Sequence, residues 1–157
     1  TGMNATAKWE LDSTDRYLTG IYILDFSAFE NLIGGTGNDT FEMLAVHSGN
    51  LDGGSGIDGL DYSSYTNPID VVLTALGSID GFNGTETGSI TNGFANIDKI
   101  QANLVYRSSN SLTGMNVPYI WNISPTLTKY AYLTNTLDFF DICNILGCSA
   151  VDTFFIS

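Results

Sequence analysis

Positive charge is nearly absent from this chain. Lys8, Arg16, Lys99, Arg107 and Lys129 stand against 17 acidic residues, for a formal net charge of −12. So acidic a chain has no cationic footprint for phosphate backbones, which argues against nucleic acid and in favour of cations as partners. No apolar run approaches the length of a membrane span, and no signal peptide is visible. Because the sequence opens on Thr1, it reads as a processed or partial piece, and the missing signal carries no weight. Helical periodicity is also scarce.

What is present is apolar and turn-forming: 43% hydrophobic residues, 14% charged, and 17 glycines among many Ser, Thr and Asn. That balance excludes disorder and points to strands joined by turns. Segments 21–26, 69–76 and 94–100 are short, rich in β-branched and aromatic residues, and bounded by Gly, Asn, Asp and Ser, as strands are.

The chain also repeats itself. "TGMNATAKWEL" at 1–11 returns as "TGMNVPYIWNI" at 113–123, so that Thr1, Gly2, Met3, Asn4 and Trp9 recur at an offset of 112. After one inserted residue the match resumes, laying "LDFSAFENLIGGTGNDTFEM" from Leu24 over "LDFFDICNILGCSAVDTFFI" from Leu137. Asp25 falls on Asp138, Phe26 on Phe139, Asn31 on Asn144, Gly34 on Gly147, and Asp39-Thr40-Phe41 on Asp152-Thr153-Phe154. Residues 1–112 therefore read as one full unit and 113–157 as the opening of a second, degenerate one, in a single continuous domain. An apolar-x-Asn-apolar pattern recurs around Asn31, Asn96 and Asn144, which suits either a hydrogen-bonded Asn ladder or an Asn tolerating a left-handed turn.

A shorter repeat lies inside the unit. "GGTGNDTF" at 34–41 is followed nineteen residues later by "GGSGIDGL" at 53–60. In a Gly-Gly-x-Gly-x-Asp-x-apolar unit the glycines reach backbone angles closed to other residues, the Asp adds a carboxylate and the apolar residue begins a strand. Carbonyl and carboxylate oxygens are the ligands that calcium prefers, and an ion needing about six to eight of them cannot be enclosed by one such turn. If a coil takes about eighteen residues, the two turns stack on one edge, roughly 4.8 Å apart, where Asp39 and Asp58 could share an ion.

The octets resemble the calcium-binding nonapeptide of secreted repeats-in-toxin proteins. The stretch from Leu51 to Asp98 is similar to repeats of large bacterial surface proteins of the filamentous haemagglutinin or adhesin type. That resemblance implies an all-β, right-handed parallel β-solenoid (a β-roll or β-helix) with short coils, secreted to the cell surface, with calcium in its Gly/Asp-rich turns and no enzymatic activity. Carried over position by position, it implies metal ligation by Asp39 and Asp58, with backbone oxygens from Gly34, Thr36, Gly37, Gly53, Ser55 and Gly56. The second copy of the first octet, "GCSAVDTF" at 147–154, replaces glycines with Cys148 and Ala150, so no calcium site is expected there.

Cys143 and Cys148 form a C-x4-C pair. A disulfide and two separate thiols both remain open, while too few ligands are present for a metal. His47, the only histidine, has no nucleophile signature around it and is expected to be structural or solvated. Trp9 and Trp121, as equivalent residues of a repeat, are expected in the core or in packing between coils. The leading expectation is a structural repeat of an exported surface protein or fibre, with neighbouring repeats or further copies as partners and end-to-end assembly. The alternative is an adhesin module binding glycans or cells, with Tyr62, Tyr65, Tyr106, Tyr119, Tyr130 and Tyr132 as contact candidates. A β-helix polysaccharide-degrading enzyme ranks below both.

Overall fold

The computed structural model describes residues 1–124 and 128–157. Strand follows strand in the first half: β1 (Ala7–Leu11), β2 (Asp15–Thr19), β3 (Tyr22–Phe26), β4 (Asn31–Gly35), β5 (Asp39–Met43), β6 (Asn50–Gly54), β7 (Gly59–Asp61) and β8 (Asp70–Leu76). The second half adds β9 (Phe82–Glu86), β10 (Ile90–Ile97), β11 (Lys99–Gln101), β12 (Ser111–Thr113), β13 (Ile120–Ile123), β14 (Thr128–Tyr132), β15 (Asn135–Phe140), β16 (Asn144–Leu146) and β17 (Thr153–Ile156). A single 3-10 turn, Leu104–Tyr106, is the one helical element among the described residues. Among the described residues, no helix is long and apolar enough to cross a membrane.

Alternation sets the faces. In β1, Ala7, Trp9 and Leu11 are buried while Lys8 and Glu10 lie between them on the wetter face. In β5, Asp39, Phe41 and Met43 are buried and Thr40 and Glu42 alternate with them, as the two-residue period of a strand requires. Lys8 closes ion pairs to Glu10 at 3.1 Å and Glu42 at 2.7 Å on the outer face.

The expected right-handed parallel β-solenoid is not what forms. The chain is all-β, but it builds two mixed sheets, ten strands in the order β17-β13-β14-β15-β11-β7-β5-β1-β2-β3 and seven in the order β16-β12-β8-β9-β10-β6-β4. Parallel pairing holds at the octets, β4 with β6 and β5 with β7. Elsewhere three antiparallel meanders interrupt it: β1-β2-β3, β13-β14-β15 and β8-β9-β10. The reason is turn length. Thr19 pairs with Tyr22 across Gly20-Ile21, and Tyr132 with Asn135 across Leu133-Thr134. Two-residue loops join only antiparallel neighbours. Gly20 and Leu133 take the positive φ values (58° and 55°) these hairpins need, and Leu133 carries none of the usual turn chemistry that would announce it.

Both sheets empty their apolar residues into one core. The long repeat is visible as repeated packing. Trp9 stacks on Phe41 (5.7 Å, 20°) and meets the Tyr17 edge at 4.5 Å, while Trp121 stacks on Phe154 (5.9 Å, 14°) and meets Tyr130 at 4.8 Å. The Met3 and Met115 amides donate to the Tyr17 and Tyr130 hydroxyls at 2.9 and 3.0 Å. Both tryptophans are buried.

Other expectations divide. Asn31 accepts from the Asn50 side chain at 2.8 Å, Asn96 donates to Asp52 at 2.7 Å, and Asn144 donates to the Ser108 and Asn110 carbonyls. The three therefore form no common ladder, and Asn96, at φ 53°, occupies a left-handed corner. Tyr62, Tyr65, Tyr119 and Tyr130 are buried in the core. Cys143 and Cys148 are free thiols, the Cys148 Sγ donating to the Met115 carbonyl at 3.0 Å. His47 is buried, with its Nε2 at 3.1 Å from the Glu30 carbonyl oxygen.

Candidate metal centre

Each octet is the corner where a strand of the seven-stranded sheet hands over to one of the ten-stranded sheet: β4 to β5, and β6 to β7. The corners lie directly against each other, because Gly35 pairs with Gly54 and Thr40 with Gly59. The spacing of the motif also has a steric cause. A Cβ added to Gly34 would lie 2.6 Å from the Asp39 Oδ2, one added to Gly53 would lie 2.7 Å from the Asp58 Oδ2, and one added to Gly147 would lie 2.6 Å from the Asp152 Oδ2. In all three turns the carboxylate five residues on fills the room left by the missing side chain.

These carboxylates then climb from layer to layer. The Asp39 amide donates to the Asp58 Oδ1 at 2.7 Å, and the Asp58 amide donates to the Asp98 Oδ2 at 3.0 Å. Asp98 arrives from the β10–β11 corner, held there by its own amide, which donates to the Asp58 carbonyl at 2.8 Å. Asp80 reaches the same place from the loop between β8 and β9, accepting from the Gly56 amide at 3.1 Å. That loop is anchored by the Asn96 side chain, which accepts from the Ile79 amide at 3.0 Å.

One oxygen from each of Asp58, Asp80 and Asp98 lies within 4.8 Å of the other two. An ion held at about 2.3–2.6 Å by oxygens can bridge atoms up to roughly 5 Å apart, so the three fit a single divalent cation. Asp58 is fully buried, and its Oδ2 has no hydrogen-bond partner, nor has the Asp80 Oδ1. Asp39 is fully buried too, with both oxygens unpartnered. No lysine or arginine neutralises them: the four ion pairs among the described residues join Lys8, Arg16 and Lys129 to Glu10, Glu42 and Asp138. A buried carboxylate without a partner is costly, and it either takes a proton or binds a cation.

Electrostatics express the same conflict. Burial pushes Asp58 up to about 7, opposed by the Asp39 amide and assisted by the charges of Asp39, Asp98 and Asp80. Asp98 is raised to about 6 by burial, against the Asp58 amide and with help from Asp80 and Asp138. Asp39 is raised to about 6 by burial, which the nearby Ala7 amide only partly offsets. Hard oxygen donors, clustered charge and orphaned buried atoms suit calcium or a similar ion, which would replace the protons these groups otherwise hold.

The octet residues expected to supply carbonyls are placed as follows. The Gly34, Gly37 and Gly53 carbonyl oxygens lie against Gly2, Gly56 and Gly34 of adjoining layers, where an added Cβ would meet them at 2.2, 2.5 and 2.3 Å. The Ser55 amide donates to the Gly35 carbonyl, the Gly56 amide serves Asp80, and Thr36 is exposed at the corner. Asp39 and Asp58 are brought together as adjacent rungs, while the acids that converge on Asp58 come from outside the octets. Reading the octets alone misses them. A signal did exist: Ile57-Asp58, Ile79-Asp80 and Ile97-Asp98 share one dipeptide, which also occurs at Ile69-Asp70, away from the cluster. Compared with models of known protein families, with curated proteins and with solved structures, the chain matches none.

Proposed function

We propose that this chain is a structural repeat module of an exported cell-surface or fibre protein, with calcium bracing the corners between its two sheets. The observation that carries this reading is the repeated meander. β1-β2-β3 and β13-β14-β15 recur with the same Trp-Tyr-Phe packing within one continuous ten-stranded sheet. Modules of this kind are stabilised by their neighbours, each covering the open edge of the next.

The acidic corner supports calcium as the resident ion, held by Asp58, Asp80 and Asp98 with the Asp39 carboxylate beside them. Calcium would offset two of the four clustered carboxylate charges and tie the β8–β9 loop to the corners, which is a structural role. Extracellular modules commonly bind calcium with dissociation constants of about 10⁻⁴–10⁻³ M, and an exported location would keep such a site loaded. The adhesin alternative has less to rest on, since four of its six tyrosine candidates lie in the core.

Isothermal titration of calcium into the chain tests the proposal, with Asp58→Asn and Asp98→Asn alongside. One binding event in the parent, weakened at least about tenfold in each variant, is expected. No heat of binding, or equal affinity in all three proteins, would contradict it.

A further inference from the structure

The two copies of the meander differ in what lies over them. Inside the chain, β15 pairs with β11 through Ile100 and Phe139, and β16 pairs with β12 through Leu112 and Ile145. Phe82 from β9 completes the cover, its ring 5.3 Å from that of Tyr130. In the first copy, β3 and β4 are the last strands of their sheets. The consequence is plain at equivalent residues: Leu24 is 61% exposed where Leu137 is 0%, and Phe29 is 60% exposed where Ile142 is 7%. A cleft of about 410 Å³ opens there between Trp9, Tyr17, Leu24, Phe26, Phe29 and Leu32. Tyr17 is the counterpart of Tyr130, so the cleft is the place that Phe82 fills in the other copy.

We infer that the β3–β4 end is a docking face for the β9–β12 portion of a preceding repeat, the equivalent of residues 82–113. The inference rests on reading the chain as a repeat module. The incoming strands would add parallel to β3 and β4 in the registers that β15 and β16 already show, and the incoming aromatic ring would enter the cleft. The chain's own far end does not fit this face. It presents β17 and β16, the counterparts of β5 and β4, whose continuing neighbours are β7 and β6. Two copies abutted end to end would set β17 against β3, a pairing absent from the described chain.

The test is a lengthened chain carrying residues 59–112 ahead of Thr1, a junction that continues the repeat because Thr113 is the counterpart of Thr1. Amide hydrogen exchange is compared with that of the unextended chain. The Tyr22–Phe26 amides are expected to exchange at least roughly tenfold more slowly in the lengthened protein. Leu24→Asp with Phe29→Asp should abolish that protection while leaving the unextended chain's melting temperature unchanged, since both side chains are exposed there. If the added residues gain strand structure and β3 still exchanges at its former rate, the docking is wrong and the repeat reading survives. If the added residues stay unfolded, both fail. Protection of β3 in the unextended chain on raising its concentration, with dimers in sedimentation, would identify a second copy as the occupant and overturn the inference.

Discussion

Two regions of this molecule share a sequence pattern and differ in surroundings: the meander β1-β2-β3 and its counterpart β13-β14-β15. Their internal packing is nearly the same, tryptophan against tyrosine and phenylalanine, yet one is sealed by β11, β12 and Phe82 and the other stands open. Local sequence is thus enough to build the meander, while burial of its outer face depends on the next strands along the sheet. The corner turns teach a parallel lesson. Gly34 with Asp39 and Gly147 with Asp152 keep the same contact although Cys148 and Ala150 replace glycines in the second. The Gly/Asp spacing is a steric device, and it gathers further acids only at the Asp58 corner, where Asp80 and Asp98 join it.

The comparison breaks most sharply at Leu137 and Leu24. Leu137→Ala, in the sealed copy, should cost about 2–5 kcal/mol in urea unfolding, whereas Leu24→Ala should stay within about 0.5 kcal/mol. Equal losses would mean that the first copy is covered in solution.

The glycines come next. A Cβ on Gly34 meets the Gly53 carbonyl at 2.3 Å as well as the Asp39 carboxylate, whereas one on Gly147 first meets the Asp152 side chain alone. Gly34→Ala should therefore destabilise by about 1–3 kcal/mol, and Gly147→Ala by less, because a side chain can swing away from the new methyl group and a backbone carbonyl cannot. The same urea midpoints decide it.

A smaller effect separates the two corners by charge. Asp152→Asn should leave calcium affinity unchanged, in contrast to Asp58→Asn, when both are followed by calorimetry.

The last effect is on pH dependence, and its sign follows from protonation. Asp39, Asp58 and Asp98 have folded values of about 6, 7 and 6 against an ordinary 3.8. The metal-free folded chain therefore binds these protons more tightly than the unfolded chain does. Their contribution is fully present near pH 4 and is lost as pH rises through about 6 to 7. Melting temperatures in chelator should fall over that window and level off above it. Saturating calcium should reverse the trend, because the ion binds the deprotonated groups.

Much of this was legible from composition and spacing. The strands expected at 21–26 and 69–76 are β3 and β8, and the offset of nineteen does place the octets in adjacent layers. The segment 94–100 is interrupted at Asp98, between β10 and β11, just after Asn96 takes a left-handed backbone inside β10 that its type permits but does not require. The first meander carries Gly20 at its two-residue turn, a single glycine among 17, while Leu133-Thr134 in the second carries no Gly or Asn to mark a hairpin. Without that mark, repeated short strands look the same whether they pair parallel or antiparallel. Asp80 and Asp98 escaped for a different reason: they reach Asp58 through tertiary placement, at sequence separations that no local motif spans.

Whether a cation braces the Asp58 corner, as proposed, is decided by thermal unfolding at pH 8, in chelator and in millimolar calcium, for the parent chain and Asp58→Asn. Calcium should raise the melting temperature of the parent and leave that of the variant unchanged. Identical melting of the parent with and without calcium would rule the bracing ion out.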